Sequence, residues 1–186
     1  MRKNFGVKTY VYPQPVFILA AYDAAGNACA MNAAWGGICS RNQLSFCVSA
    51  GHKTVKDLRA QGAFTVSMGT ASQATACDYV GMESGNEVPN KMEKAGFPTE
   101  KAEFVNAPVI AELPLCIECK LVSYDEATGR LVGEIVNVNA EESILDAEGL
   151  IDPAKLEPIV YDSVHHDYLV IGKKVGNAFE DGAKLK

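Results

Sequence analysis

Residues 115–125 and 130–140 constrain this chain more than any other feature. They read as two strands, Leu115–Asp125 and Arg130–Ala140, separated only by Glu-Ala-Thr-Gly (126–129). Such a pair is a hairpin and therefore antiparallel. A first hairpin precedes it. Val16–Tyr22 is an apolar run, Asp-Ala-Ala-Gly-Asn (23–27) is turn chemistry, and Ala28–Trp35 returns. Gln43–Ser49 alternates, with Leu44, Phe46 and Val48 facing one way. Ala63–Met68 does the same with Phe64, Val66 and Met68. Strand–helix–strand alternation is absent, and so is a Gly-x-Gly-x-x-Gly fingerprint, which disfavours a parallel nucleotide-binding sheet. The expected fold is mainly β with a few helices, an antiparallel barrel that is closed or nearly closed.

The helices are few and short. Thr54–Gln61 reads as one, with Thr54 as N-cap, Asp57 in near capping-box position and Gly62 as terminator. Thr70–Gly81 and Pro153–Ile159 are expected to be helical. Ser84–Pro98 is a polar excursion, Tyr168–Ile171 a last strand, and residues 172–179 an irregular tail. The 186 residues contain no repeat, linker or low-complexity tract. One domain over 1–186 is expected, large enough to bury a core without disulfides.

Charge and hydropathy exclude some functions. A net charge of −6 argues against nonspecific nucleic-acid binding, which needs a basic face. No apolar run approaches the ~20 residues of a membrane span. The start, MRKNFGVKTY, has no apolar segment behind it, so no signal peptide is expected and a cytoplasmic location is. The six cysteines are then expected to be reduced. Cys116 and Cys119 form a Cys-x-x-Cys, but within a strand, where residues three apart point to opposite faces. Cys39, Cys47 and Cys77 read as buried thiols, His165-His166 as a surface pair, and the acidic run 141–146 as a solvated loop or helix start. No metal site is expected.

Two segments carry chemistry. In Ser49-Ala-Gly-His-Lys-Thr54 a strand ends and a helix begins. Ala50 and Gly51 let a ligand approach the backbone, His52 and Lys53 are donors, and Thr54 offers a hydroxyl at a helix N-terminus, which favours anions. That describes a phosphate site. It equally describes a Thr54 that only caps its helix beside a solvated Lys53. In Met31-Asn-Ala-Ala-Trp-Gly-Gly37, Ala33 and Ala34 leave room for a flat group, Asn32 can hydrogen-bond a ring, and Trp35 offers a stacking face. Gly36 and Gly37 would turn the chain sharply. A planar heterocycle with a phosphate tail explains both segments; a buried Trp beside a Gly-Gly turn explains the second without one.

The ordered set of segments resembles the flavin reductase-like, FMN-binding split-barrel proteins, most closely their flavoredoxin branch. The matching pieces are Tyr12-Pro-Gln-Pro15, Asn32-Ala-Ala-Trp-Gly-Gly-Ile-Cys39, His52-Lys-Thr54, Phe64-Thr-Val-Ser-Met68, Ala76-Cys-Asp-Tyr-Val-Gly81, Lys91, Gly96-Phe97, Asn106-Ala-Pro108, Gly133-Glu-Ile135 and Ile171-Gly-Lys-Lys-Val-Gly-Asn-Ala-Phe179. The resemblance implies a Greek-key split β-barrel, a homodimer, and FMN near the subunit interface. It places Asn32, Ala33, Ala34 and Trp35 along the flavin ring and ribityl chain. Ser49, Ala50, His52, Lys53 and Thr54 surround the chain and phosphate. Lys91 brings a cation to the cofactor, and Asp78 and Tyr79 form the pocket wall. It also implies electron transfer through FMN, either from NAD(P)H as a flavin oxidoreductase or between protein partners as a carrier. No catalytic residue is required, because the flavin carries the redox chemistry. Two positions depart from the pattern. His52 stands where arginine is more usual, and a mostly neutral imidazole is a weaker phosphate partner. Asn32 stands where threonine is common.

Overall fold

The structure, a computed structural model, describes residues 1–186. Strand β1 is Gln14–Pro15, β2 Phe17–Tyr22, β3 Ala28–Ala33, β4 Gly36–Ser40, β5 Gln43–Cys47 and β6 Ala63–Met68. Strands β7 (Thr99–Lys101) and β8 (Pro108–Ile110) are short; β9 (Leu115–Asp125) and β10 (Arg130–Ala140) are the long hairpin, followed by β11 (Ile159–Asp162) and β12 (Asp167–Val170). The helices are α1 (Lys53–Gln61), α2 (Ala74–Met82), α3 (Lys91–Ala95) and α4 (Pro153–Leu156). Seven strands form the main sheet in the order β3-β2-β6-β9-β10-β5-β4, all pairs antiparallel.

That order forces the sheet to curl. β3 and β4 lie at opposite edges, yet only Ala34 and Trp35 separate them in the chain. Six spacings of about 4.8 Å would put the edges of a flat sheet about 29 Å apart. The link from Ala33 to Gly36 reaches at most about 11 Å. The edges must therefore approach each other, as in a split barrel. The interior holds Phe17, Leu19, Phe46, Phe64, Val66 and Leu131, and α1 plugs it with Val55 and Leu58. Val16, Ile18 and Ala20 face the other way, into a second core with Cys77, Val80, Phe97 and Ile110. β2 is thus buried on both faces, which is why it reads as a continuous apolar run. No helix is long and apolar enough to cross a membrane.

Several expectations change. Thr54 does not cap α1. The N-cap is His52, whose side chain makes no cap hydrogen bond, while Thr54 is buried inside the first turn and donates to Cys29 Sγ at 3.3 Å. Gly62 does end α1, in the left-handed conformation with φ 69°. Gly36 and Gly37 form no turn; they belong to β4. A Cβ on Gly36 would lie 2.3 Å from the Phe46 ring, so a missing side chain, not a bend, is what this position needs. The 70–81 helix divides into a 3-10 turn at Ala71–Gln73 and α2. Pro153–Ile159 is helical only to Leu156; Ile159 opens β11. Cys116 and Cys119 lie in β9 as buried free thiols; Cys77 is buried, but Cys39 and Cys47 are exposed.

Candidate functional site

A cavity of about 390 Å³ opens where β3 gives way to β4. Its floor is the end of β3 with Ala33 and Ala34, whose small side chains leave a flat surface. One wall is a row of aromatic rings: the Trp35 and Tyr161 centroids are 6.5 Å apart, and those of Tyr161 and Tyr168 are 6.2 Å apart. Trp35 is 49 % exposed and presents much of its ring to the opening. The loop after β5 supplies Ser49 and His52, and α2 supplies Asp78, Gly81 and Met82. Gly81 lets α2 sit close on β3, because a Cβ there would lie 2.9 Å from Asn32 Cβ.

A polar network fixes the inner end. Tyr168 Oη donates to Asp78 Oδ1 at 2.7 Å. Asn32 Nδ2 donates to Tyr168 Oη at 3.4 Å and to the Cys77 carbonyl at 3.2 Å. Burial, then the hydrogen bond to Asp78, pushes the Tyr168 phenol above its usual range. Tyr168 therefore remains a donor across the working pH range, holding β12 to α2 over the cavity. This network spends both Asn32 N–H groups on the protein itself and gives its carbonyl oxygen no donor.

A narrow recess of about 30 Å³ adjoins the cavity and shares Asn32, His52 and Gly81 with it. Lys53, Thr54 and Lys91 line it. The two lysines differ sharply. Lys53 Nζ is 2.7 Å from Asp57 and 3.3 Å from Asp23. Burial draws its pKa down, but the hydrogen bonds and charges of Asp57 and Asp23 outweigh that and hold it above the ordinary lysine value. Lys91 is only 3 % exposed, and its ammonium makes neither ion pair nor hydrogen bond. Burial pulls it below the ordinary value, with Cys29 and Glu83 opposing. His52 is also lowered, first by burial and then by the charge of Lys91. The recess therefore presents an unpaired cation, a neutral imidazole and the uncapped first turn of a nine-residue helix. That is a donor set for an anion.

Of the residues singled out in the sequence, Asn32, Ala33, Ala34, Trp35, Ser49, His52 and Asp78 line the cavity, and Lys53, Thr54 and Lys91 line the recess. Ala50 lies in the turn before α1 and lines neither. Tyr79 points away and packs against the second core. Lys53 reaches the recess with its charge already satisfied. Tyr161 and Met82 are wall residues that sequence reasoning missed, and Cys47, expected near the pocket as a buried thiol, lines it as an exposed one. Tyr161 falls between the helix expected over Pro153–Ile159 and the strand expected from Tyr168, where no element is expected; the structure places it in β11. His165 pairs with Asp162 at 2.7 Å, and His166 Nδ1 contacts Tyr161 Oη at 2.6 Å; both histidines are exposed and neither lines the cavity. No group of three or more His, Cys, Asp or Glu side chains is arranged to hold a metal ion.

The His52 environment has a measurable consequence. Its folded pKa is lowered, so the unfolded chain takes up a proton first as pH falls through about 6.5. Protonation then favours unfolding. The stability of the wild type relative to His52→Gln should fall between pH 7.5 and pH 5.5 in urea unfolding. A constant difference would place His52 in a solvent-like setting.

The family model for the flavin reductase like domain matches residues 9–165, which spans the main sheet, the recess and every cavity-lining residue except Tyr168. The chain belongs to this family. Flavoredoxin of Desulfovibrio vulgaris (Miyazaki F) is similar in structure with a TM-score of 0.93 and 33 % identity, covering 98 % of this chain and all of that one. Flavoredoxin from Methanosarcina acetivorans superposes with a TM-score of 0.88 at 27 % identity, over the full length of both chains. A flavin reductases-like FMN-binding domain from Shewanella baltica shares the fold at a TM-score of 0.78 and 19 % identity, over 88 % of this chain and 89 % of that one. Among curated proteins, an uncharacterised protein of Aquifex aeolicus is 34 % identical over 57 % of this chain, and YdfE of Bacillus subtilis is 31 % identical over 48 %. The chain matches about half the length of these two relatives, 55 % and 44 %.

Proposed function

We propose that the protein is an FMN-binding flavoprotein that passes electrons through the bound flavin. The observation that carries this reading is Lys91, a buried residue whose ammonium has no ion-pair or hydrogen-bond partner in the recess beside a flat, aromatic-walled cavity. A buried charge without a partner is costly, and a ligand phosphate would supply the partner. Ala33 and Ala34 would underlie the ring, Trp35 would stack beside it, and Asn32 would offer its carbonyl oxygen to a ring N–H. His52 and the first turn of α1 would donate to the phosphate with Lys91. FMN supplies hydride and electron transfer when bound. The chain's own groups position it, and the Tyr161–Tyr168 wall keeps water from one side.

Reduced NAD(P)H or a redox protein is the electron source we favour. The full-length likeness to two flavoredoxins supports the second reading, a carrier between protein partners. We also propose a homodimer, because Met82 in the cavity lining, Leu169 and Val170 in β12 and the following Ile171 are exposed apolar groups. A visible absorption titration tests the cofactor: FMN added to the purified protein should give a shifted flavin band saturating at one FMN per chain. Bleaching by NADH or NADPH selects the reductase; bleaching only with an added reductase protein selects the carrier. An unshifted band defeats the cofactor reading.

A further inference from the structure

A further cavity, about 310 Å³, adjoins the recess and shares Lys53, Gly85 and Lys91 with it. It is also lined by Cys29, which the flavin reading leaves unused. Cys29 lies in β3 and is 4 % exposed. Its sulfur accepts from Thr54 Oγ1 at 3.3 Å, while its own proton has only the Ala30 carbonyl, at 3.9 Å. A Cβ at position 85 would lie 2.5 Å from that sulfur, so Gly85 keeps a side chain off it.

Lys91 supplies the second observation. It is 3 % exposed, has no ion pair or hydrogen bond, and lines the same cavity as Cys29. Burial lowers its pKa, and Cys29 stands ahead of Glu83 among the charges that oppose this. The other charges of the cavity, Lys53 and Asp23, are paired with each other. A thiolate at Cys29 would therefore have a hydroxyl donor and a cation, and the buried ammonium would have a counter-charge. For the other buried thiols burial dominates, pushing Cys77 and Cys116 up to about 11 and Cys119 up to about 12.

We propose that Cys29 is a peroxide-reactive thiol, and that its oxidation and the filling of the recess by a phosphate exclude each other. The sulfur attacks the terminal oxygen of a hydroperoxide. An S–O bond forms and the O–O bond breaks; sulfur loses two electrons, and the leaving oxygen takes up the proton that the thiol gave up, as water or an alcohol. In the empty protein Lys91 and Thr54 serve the sulfur. A phosphate in the recess takes Lys91 and brings a like charge beside the sulfur, which disfavours the thiolate. The exclusion rests on the flavin reading only for the source of the phosphate; the reactivity of Cys29 stands without it.

Alkylation of the flavin-free protein by iodoacetamide, followed by peptide mass for each of the six cysteines, tests the proposal. Cys29 should react about tenfold faster than buried Cys77, Cys116 and Cys119. Lys91→Met and Thr54→Val should each slow Cys29 about tenfold, Thr54→Ser should restore it, and exposed Cys39 and Cys47 should keep their rates. Saturating FMN or inorganic phosphate should slow Cys29 by a similar factor. Hydrogen peroxide followed by dimedone should tag Cys29. The same peroxide treatment should weaken FMN binding about tenfold in the wild type and leave Cys29→Ser unaffected. The proposal is overturned if Cys29 reacts no faster than the other buried thiols, if neither Lys91→Met nor phosphate changes its rate, or if its oxidation leaves FMN affinity intact. Protection by inorganic phosphate without protection by FMN upholds it and overturns the cofactor reading instead.

Discussion

Lys91→Met is expected to stabilise the ligand-free protein and to cripple cofactor binding. Lys91 is 3 % exposed as a residue and its ammonium is unpaired, so the folded state bears a desolvation penalty that the unfolded chain does not. Methionine fills similar space without the charge. Removing the penalty should add about 1–2 kcal/mol, or about 3–6 °C in melting temperature for a chain of this length. The same substitution removes one charge-assisted hydrogen bond to a phosphate, worth about 1.5–3 kcal/mol, so FMN should bind about 10–100-fold more weakly. Thermal unfolding without ligand and an FMN titration read the two effects separately. A lower melting temperature with unchanged FMN affinity would make Lys91 a structural residue. Lys53→Met should behave in the opposite way. Its charge serves Asp57 and Asp23, so its loss should cost about 1 kcal/mol of stability and leave FMN affinity within about threefold.

The contrast between the two lysines shows where sequence reasoning stops. The segment around Lys53 announces an anion site because a strand end, small residues and a helix start are all local features. Which lysine is free depends on Asp23, thirty positions away, and on Asp57 one helical turn on. Only the fold decides that. The strands show the same division. The β9–β10 hairpin was legible to the residue, because alternation and a four-residue turn are properties of the segment itself. β4 was not, because Gly36-Gly37 carries turn chemistry; here the glycine serves the Phe46 ring on the neighbouring strand. β11 was not legible either, because a helix is expected over Pro153–Ile159 and no element over 160–167, and with it went Tyr161 and its pairing with Gln14.

Glu118→Leu should be the most destabilising single change outside the hydrophobic core. Glu118 lies in the first half of β9 and is completely buried. Its Oε1 accepts from Asn137 Nδ2 at 2.9 Å and Asn139 Nδ2 at 3.1 Å, and its Oε2 accepts from the Phe104 N–H at 2.7 Å. The pairing with Asn137 sits at a register shift where β10 carries an extra residue. Beside it, Thr65 Oγ1 donates to the Pro108 carbonyl at 2.5 Å. The two contacts hold residues 102–108 over the sheet, where Ala102, Val105 and Ala107 pack on Ala63. Leucine would leave three N–H donors facing an apolar group. The loss should be about 3–5 kcal/mol, or roughly 10 °C in melting temperature. Glutamine should not rescue it: whichever way the amide turns, its NH₂ meets a donor, either the Phe104 N–H or the two asparagine amides. Glu118→Leu combined with Asn137→Leu should lose less than the two single changes added together, because both ends of one bond are then apolar. Strict additivity in urea unfolding would mean that the carboxyl group and Asn137 act independently. Hydrogen exchange should show the 102–108 segment opening first in Glu118→Leu, ahead of the cavity-lining strands.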